Sequence, residues 1–254
     1  MTALDQETAV ITTPLTIDEM PWVDPATLPP SDLPSEDGEP MESPWHWGSG
    51  PLLKAAYIAA HGGEMIDYYV GVNMFVYYSW KQVRNNDFKG PDLYFVLHVD
   101  GQKQRSYWAT WDEDGRYPDV VIELLSASTE REDLETKRAI YEERFRLREY
   151  FCIAPQVERL FGWRVNGGIY HPVMPDHHGR IWSEHLQLWI GPWRGVYLGE
   201  THVWPRFYYP DGSLVLLQEE SAKLRADEEK LRADALTARV ATLEAELAKL
   251  RADS

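Results

Sequence analysis

The chain has 254 residues, enough for one large domain or a medium domain with appendages. Apolar residues make up 44% and charged residues 26%, ordinary for a globular chain, and no apolar run reaches the roughly 18 residues of a membrane span. A lone cysteine, Cys152, excludes an internal disulfide and a multi-cysteine zinc site, and with no basic-then-apolar leader at the N-terminus the expected location is the cytoplasm.

The net charge of −16 is unfavourable to phosphates as a sum, but it is unevenly spread. Residues 1–44 hold ten acids, eight prolines and no Lys or Arg, so the segment cannot bury enough surface to offset its ordering entropy and is expected to be a disordered acidic tail. Residues 45–217 hold 22 acids against 18 bases and read as the folded body. Its first element is a helix over 51–60, with Pro51 in the first turn and Gly62-Gly63 as the stop. Aromatic and β-branched runs then predict strands at 69–78, 92–99, 106–111, 119–125, 150–154, 159–165 and 168–173. Asn166-Gly167 marks a hairpin turn between the last two. A helix over 130–146 separates two of the strands, so the body is an α/β or α+β fold.

After Leu217 the chain turns to Ala, Glu, Lys, Arg and Leu. Leu217, Leu224 and Leu231 are spaced by seven, Leu236, Val240, Leu243, Leu247 and Leu250 alternate by four and three, and Lys-Leu-Arg-Ala-Asp recurs at 223, 230 and 249. Residues 218–254 are therefore expected to form a coiled-coil helix that pairs the chain with a second copy, a solvated helix or one bound to another protein being the alternatives.

Two strands open on Pro-Asp, at Pro91-Asp92 and Pro118-Asp119. Asp there is also an ordinary turn residue. Glu123 is less ordinary, because it interrupts the apolar run Val120-Val121-Ile122-Glu123-Leu124-Leu125 and a buried charge must be paired or bind a cation. Period two puts Asp119 and Glu123 on one side of the strand, and Asp92 on a neighbouring strand would complete an oxygen-rich set suited to Mg²⁺. A buried pair between Glu123 and an arginine is the alternative. Thr129 and Glu132 have capping-box spacing at the start of the next helix, where Lys137 shares a stripe with Leu134, Tyr141 and Phe145. Lys137 either snorkels to solvent or is aimed at the carboxylates, where an ammonium would orient a nucleophile and stabilise developing charge.

These segments resemble the Uma-two putative restriction endonuclease family of the PD-(D/E)xK nuclease superfamily. The likeness rests on Pro91-Asp92, the segment from Pro118 through Glu123 to Thr129, and Lys137-Arg-Ala-Ile-Tyr141. It continues through Arg148-Glu149-Tyr150-Phe151 to Trp189-Ile-Gly191-Pro192-Trp193. The resemblance implies a restriction-endonuclease-like central mixed sheet flanked by helices, with Asp92 and Glu123 as acidic metal ligands. The superfamily's Glu-x-Lys would need lysine at 125, where this chain has Leu125, so the lysine is expected on the following helix as Lys137. Members often add a carboxylate from the first helix; Glu42 and His46 are the accessory candidates, with Asp119 as a further ligand or supporting group. The expected activity is Mg²⁺- or Mn²⁺-dependent hydrolysis of DNA phosphodiester bonds. The rival expectation is a catalytically inactive nuclease-fold DNA-binding or scaffold protein that assembles through its coiled coil. A Lys137 facing only solvent or a remote carboxylate would favour that rival.

Overall fold

The first helix, α1 (Pro44–Ala60), begins earlier than expected: Ser43 Oγ accepts the His46 N–H at 3.2 Å and caps it. The computed structural model describes residues 43–79 and 90–252, so Glu42 and all but the last two residues of the expected tail lie outside the described residues. Gly48-Ser49-Gly50-Pro51 reads as a breaker in sequence. In the fold both glycines are packing residues. A Cβ on Gly48 would come within 2.9 Å of the Trp204 ring, and one on Gly50 within 2.9 Å of Val72 Cγ1. Pro51 lies inside the helix, where it removes the N–H that would reach back to Trp47. The stop is as expected, with Gly62 and Gly63 at φ 86° and 92°.

Six strands form the central mixed sheet, in the order β1 (Tyr68–Val72), β3 (Leu93–Leu97), β5 (Val120–Leu124), β6 (Glu149–Ile153), β7 (Leu160–Asn166) and β8 (Ile169–Pro172). The central pair β5 and β6 is parallel and every other neighbouring pair antiparallel. The expected strand over 69–78 is split: Asn73, at φ 50°, ends β1 before the short β2 (Val76–Tyr77), which pairs with β4 (Trp108–Ala109). The turn between β7 and β8 falls one residue later than Asn166-Gly167. Asn166 pairs with Ile169, and Gly167-Gly168 form the loop at φ 62° and 86°.

Every residue of β5 and β6 is buried, which is why both strands read as apolar runs. Alternate residues serve two cores. Val120, Ile122 and Leu124 face α1 and a second sheet, together with Leu53, Tyr57, Phe95 and Phe207. Val121 and Leu125 face Tyr141, Phe145 and Tyr150 on the other side. That side carries α2, whose continuous parts are Glu132–Lys137, Arg138–Ile140 and Tyr141–Phe145, the first and last wound as π-helix.

Sequence reasoning passed over the second sheet, β9 (Ile181–Ser183), β10 (Leu188–Tyr197) and β11 (Glu200–Tyr208). Its strands carry Gly191, Pro192, Gly195 and Pro205, residues that normally argue against a strand. Pro192 faces Pro205 across the β10–β11 pair. The final helix, α3 (Gln218–Ala252), is held to β11 at its base by Arg206, whose Nη2 lies 2.7 Å from Glu220 Oε2.

Candidate active site

The fold gathers a cluster of ionisable groups at the ends of β3 and β5, between α1 and α2. Asp92 stands just before β3 and is held from three sides. Its Oδ2 accepts the Leu124 N–H at 2.7 Å, its Oδ1 lies 3.3 Å from His46 Nε2, and its own N–H reaches Glu123 Oε2 at 3.2 Å. Burial raises the Asp92 pKa, but the His46 contact and the Lys137 charge outweigh it and hold the carboxyl below its ordinary range.

Glu123 is fully buried, 0% exposed, on the α2 side of β5. Its Oε1 accepts the Tyr141 hydroxyl at 3.0 Å and lies 3.2 Å from Lys137 Nζ. Lys137 Nζ is nearer still to Asp133 Oδ1, at 2.8 Å. Two carboxylates therefore contact one ammonium, and the Asp92 charge acts on it from further away. Burial pushes the Glu123 pKa up to about 8; Lys137 opposes the rise, while Asp92 and Asp133 add to it. Lys137 moves the other way from what burial alone would do, because Glu123, Asp133 and Asp92 keep it an ammonium well above its usual range. Burial likewise raises the Asp133 carboxyl, against the pull of Lys137.

Helix α2 delivers these groups because Asp133, Lys137 and Tyr141 recur every four residues. An α-helix turn holds about 3.6 residues, so such a row drifts by about 40° per step. The wider π turns at both ends of α2 take up that drift and keep the row facing β5. The approach is fixed by Ser126 Oγ, which accepts the Thr129 N–H at 3.2 Å, and by the Tyr150 hydroxyl, which donates to the Asp133 carbonyl at 2.9 Å.

Of the residues singled out in the sequence, Asp92, Glu123, Lys137 and His46 are brought together. Asp119 is not. Its Oδ2 accepts the Leu97 N–H at 2.8 Å and its Oδ1 lies 3.2 Å from Arg148 Nε. Sharing a face does not suffice here, because four residues of extended strand separate Asp119 from Glu123 by about 13 Å. Asp133 and Tyr141 were missed as site residues, although both stand four positions from Lys137, the spacing at which helix side chains meet.

Among the described residues no group of three or more His, Cys, Asp or Glu side chains is disposed to hold a metal ion. The donor chemistry still fits a hard divalent cation such as Mg²⁺, which uses one or two carboxylates and completes its shell with water and substrate oxygens. Asp92 and Glu123 are such a pair, and burial first, with the Asp92 and Asp133 charges adding to it, lifts the Glu123 pKa, a cost to its charged form that a cation would relieve.

The mixed sheet thus places a partly buried Asp92 and a fully buried Glu123 beside the helix-borne Lys137. The chain matches the family model described as Uma2, putative restriction endonuclease, over residues 51–190, more than half its length, and it belongs to that family. Membership points to a nuclease, and restriction-endonuclease-like families generally use divalent metals. No curated protein matches the chain. Among the described residues no helix is long and apolar enough to cross a membrane.

Proposed function

We propose that the protein is a Mg²⁺- or Mn²⁺-dependent endonuclease that hydrolyses DNA phosphodiester bonds. The observation that carries this reading is the Lys137 ammonium, 3.2 Å from a fully buried Glu123 whose pKa burial raises. Asp92 and Glu123 would hold the cation. When bound, it supplies Lewis-acid charge to the scissile phosphate and makes a water more acidic.

The remaining work falls to the chain itself. Lys137 is a cation at neutral pH, so it acts as a donor and a positive charge rather than as a base: it orients the attacking water and stabilises charge on the phosphoryl oxygens. Asp133 fixes the ammonium, Tyr141 fixes Glu123, and His46 braces Asp92. Asp119 serves the strand ends and has no catalytic role. In this reading 45–217 is the nuclease body, 1–44 an acidic appendage and 218–254 an assembly helix.

The test is cleavage of plasmid and single-stranded DNA with Mg²⁺, Mn²⁺ or EDTA, comparing the unaltered protein with Glu123→Gln and Lys137→Ala. Metal-dependent cleavage that both substitutions abolish while the fold persists is the expected result. Cleavage that survives Glu123→Gln sinks the assignment.

The second reading is an inactive nuclease-fold DNA-binding or scaffold protein that assembles through its coiled coil. Along α3, Leu224, Leu231, Leu236, Val240, Leu243 and Leu247 are all exposed, an apolar seam suited to a second copy of the chain. The seam serves a dimeric nuclease equally well. Sedimentation at micromolar concentration tests it: dimers that Leu231→Asp and Val240→Asp dissolve are expected, and a monomer removes the coiled coil from both readings.

A further inference from the structure

We infer that the cavity beside the first turn of α1 is a subsite for one unstacked base of the DNA strand, so that the substrate presents an unpaired nucleotide next to the bond that is cut. The inference rests on the nuclease reading and deepens it by naming the form of the substrate.

The cavity measures about 420 Å³ and lies between the start of α1 and the tip of the β10–β11 hairpin, with Trp47, Tyr197, Leu198, Glu200 and Trp204 in its wall. Its aromatic walls are built rather than incidental. Trp204 is buried, its Nε1 donates to the Gly195 carbonyl at 3.2 Å, and the absent side chain of Gly48 lets α1 seat against its ring. Tyr197 stands edge-on to Trp204, with ring centroids 5.5 Å apart at 83°. Trp47 lines the same cavity and is 51% exposed, while Gly48, Ser49 and Gly50 after it are buried. An exposed Trp in an aromatic-lined cavity offers a stacking surface, and every base has a π-face to offer it.

Two features select a base over other apolar occupants. The first is position. His46, the residue before Trp47, reaches Asp92 at 3.3 Å, so the cavity and the carboxylate pair flank the same helical turn, within about 5 Å of each other along the helix axis. A strand with its phosphate at Asp92 that runs past this turn of α1 would bring a neighbouring nucleotide to the cavity. The second is charge. Glu200 offers a carboxylate at the cavity wall, which repels a phosphate but accepts hydrogen bonds from the amino edge of a base. Phosphate to the metal site and base to the cavity is the one arrangement that suits both. A duplex cannot adopt it without unstacking a base, which costs a few kcal/mol.

The experiment measures binding of a short fluorescent oligonucleotide, single-stranded or duplex, to the otherwise unaltered protein by anisotropy, with Ca²⁺ in place of Mg²⁺ so that the DNA is held without being cut. Trp47→Ala is expected to weaken single-strand binding about tenfold, leave duplex binding unchanged, and be largely rescued by Trp47→Phe. An abasic nucleotide moved along the strand should reproduce the loss at one position, with no further loss there in Trp47→Ala. Equal single-strand affinity with and without Trp47, or equal losses for both DNA forms, overturns the inference alone. Failure of the unaltered protein to bind either form of DNA with Ca²⁺ overturns the nuclease reading and the inference together.

Discussion

Two glutamates sit fully buried on the adjacent parallel strands β5 and β6, and the fold treats them in opposite ways. Glu149 accepts the Ser183 hydroxyl at 2.5 Å, the Glu184 and His185 N–H groups at 2.9 and 3.1 Å, and Arg164 Nε at 2.8 Å. Burial alone would raise its pKa, but His185, Ser183 and the two backbone donors outweigh burial and bring the carboxyl down to about 2. Glu123 shares its surroundings with two other carboxylates and one lysine, and its pKa rises to about 8. The same side chain at the same depth is thus held ionised by donors in one place, and in the other, with fewer donors and two neighbouring carboxylates, is pushed toward its neutral form.

The strongest way to separate the two is to remove each charge. Glu123→Gln should lower cleavage by more than about a thousandfold, the scale of losing a principal electrostatic contact to the reacting group, with the folded protein as stable as before or more so. If Glu123→Gln unfolds the chain instead, Glu123 is a staple like Glu149 and the contrast fails. Glu149→Gln should do the reverse. A pKa near 2 against an ordinary 4.5 corresponds to about 3 kcal/mol of stability, visible as a lower denaturant midpoint at pH 7, with cleavage per folded molecule retained.

The pH dependence sharpens the comparison, because the signs differ. Glu149 has a folded pKa below its ordinary value, so its contribution is present above about pH 4.5 and is lost as the pH falls toward 2. Glu123 has a folded pKa above its ordinary 4.5, so its contribution is present below that pH and is lost as the pH rises through about 8. Without metal, the unaltered protein should therefore lose stability relative to Glu123→Gln between about pH 5 and pH 8, as measured by denaturant titrations at each pH. Mg²⁺ should bind with proton release in that window, seen as calorimetric heats that change with the ionisation enthalpy of the buffer. A flat difference between the two proteins across the window would show that Glu123 is already ionised.

The smallest effect expected is that of Tyr141→Phe. It removes one donor from Glu123 Oε1 and should cost about 1–2 kcal/mol of stability or less, lower cleavage by about tenfold, and move the pH midpoint of metal binding upward. An unchanged midpoint would mean that Tyr141 fills space without tuning Glu123.

The local pattern of the chain determined more of this protein than its irregular parts suggest. The apolar runs of β5 and β6, the glycine stop of α1, the helix after Thr129 and the long leucine-spaced α3 follow from side-chain period and capping chemistry, which act over a few residues. Glu123 stood out for the same reason, as a charge inside a run with no polar face. What only the tertiary structure decided is which groups meet across long separations. It took His46 to Asp92 from another element, left Asp119 with Leu97 and Arg148, and recruited Asp133 and Tyr141 through the widened turns of α2. It also turned Gly48-Ser49-Gly50-Pro51 into helix and a Gly- and Pro-bearing stretch into the β10–β11 hairpin, because Trp204 and its neighbours reward close approach of the backbone there. Period and propensity are properties of neighbouring residues. A charge cluster or a close contact is a property of distant ones, and only the closed chain sets the distances on which its energy depends.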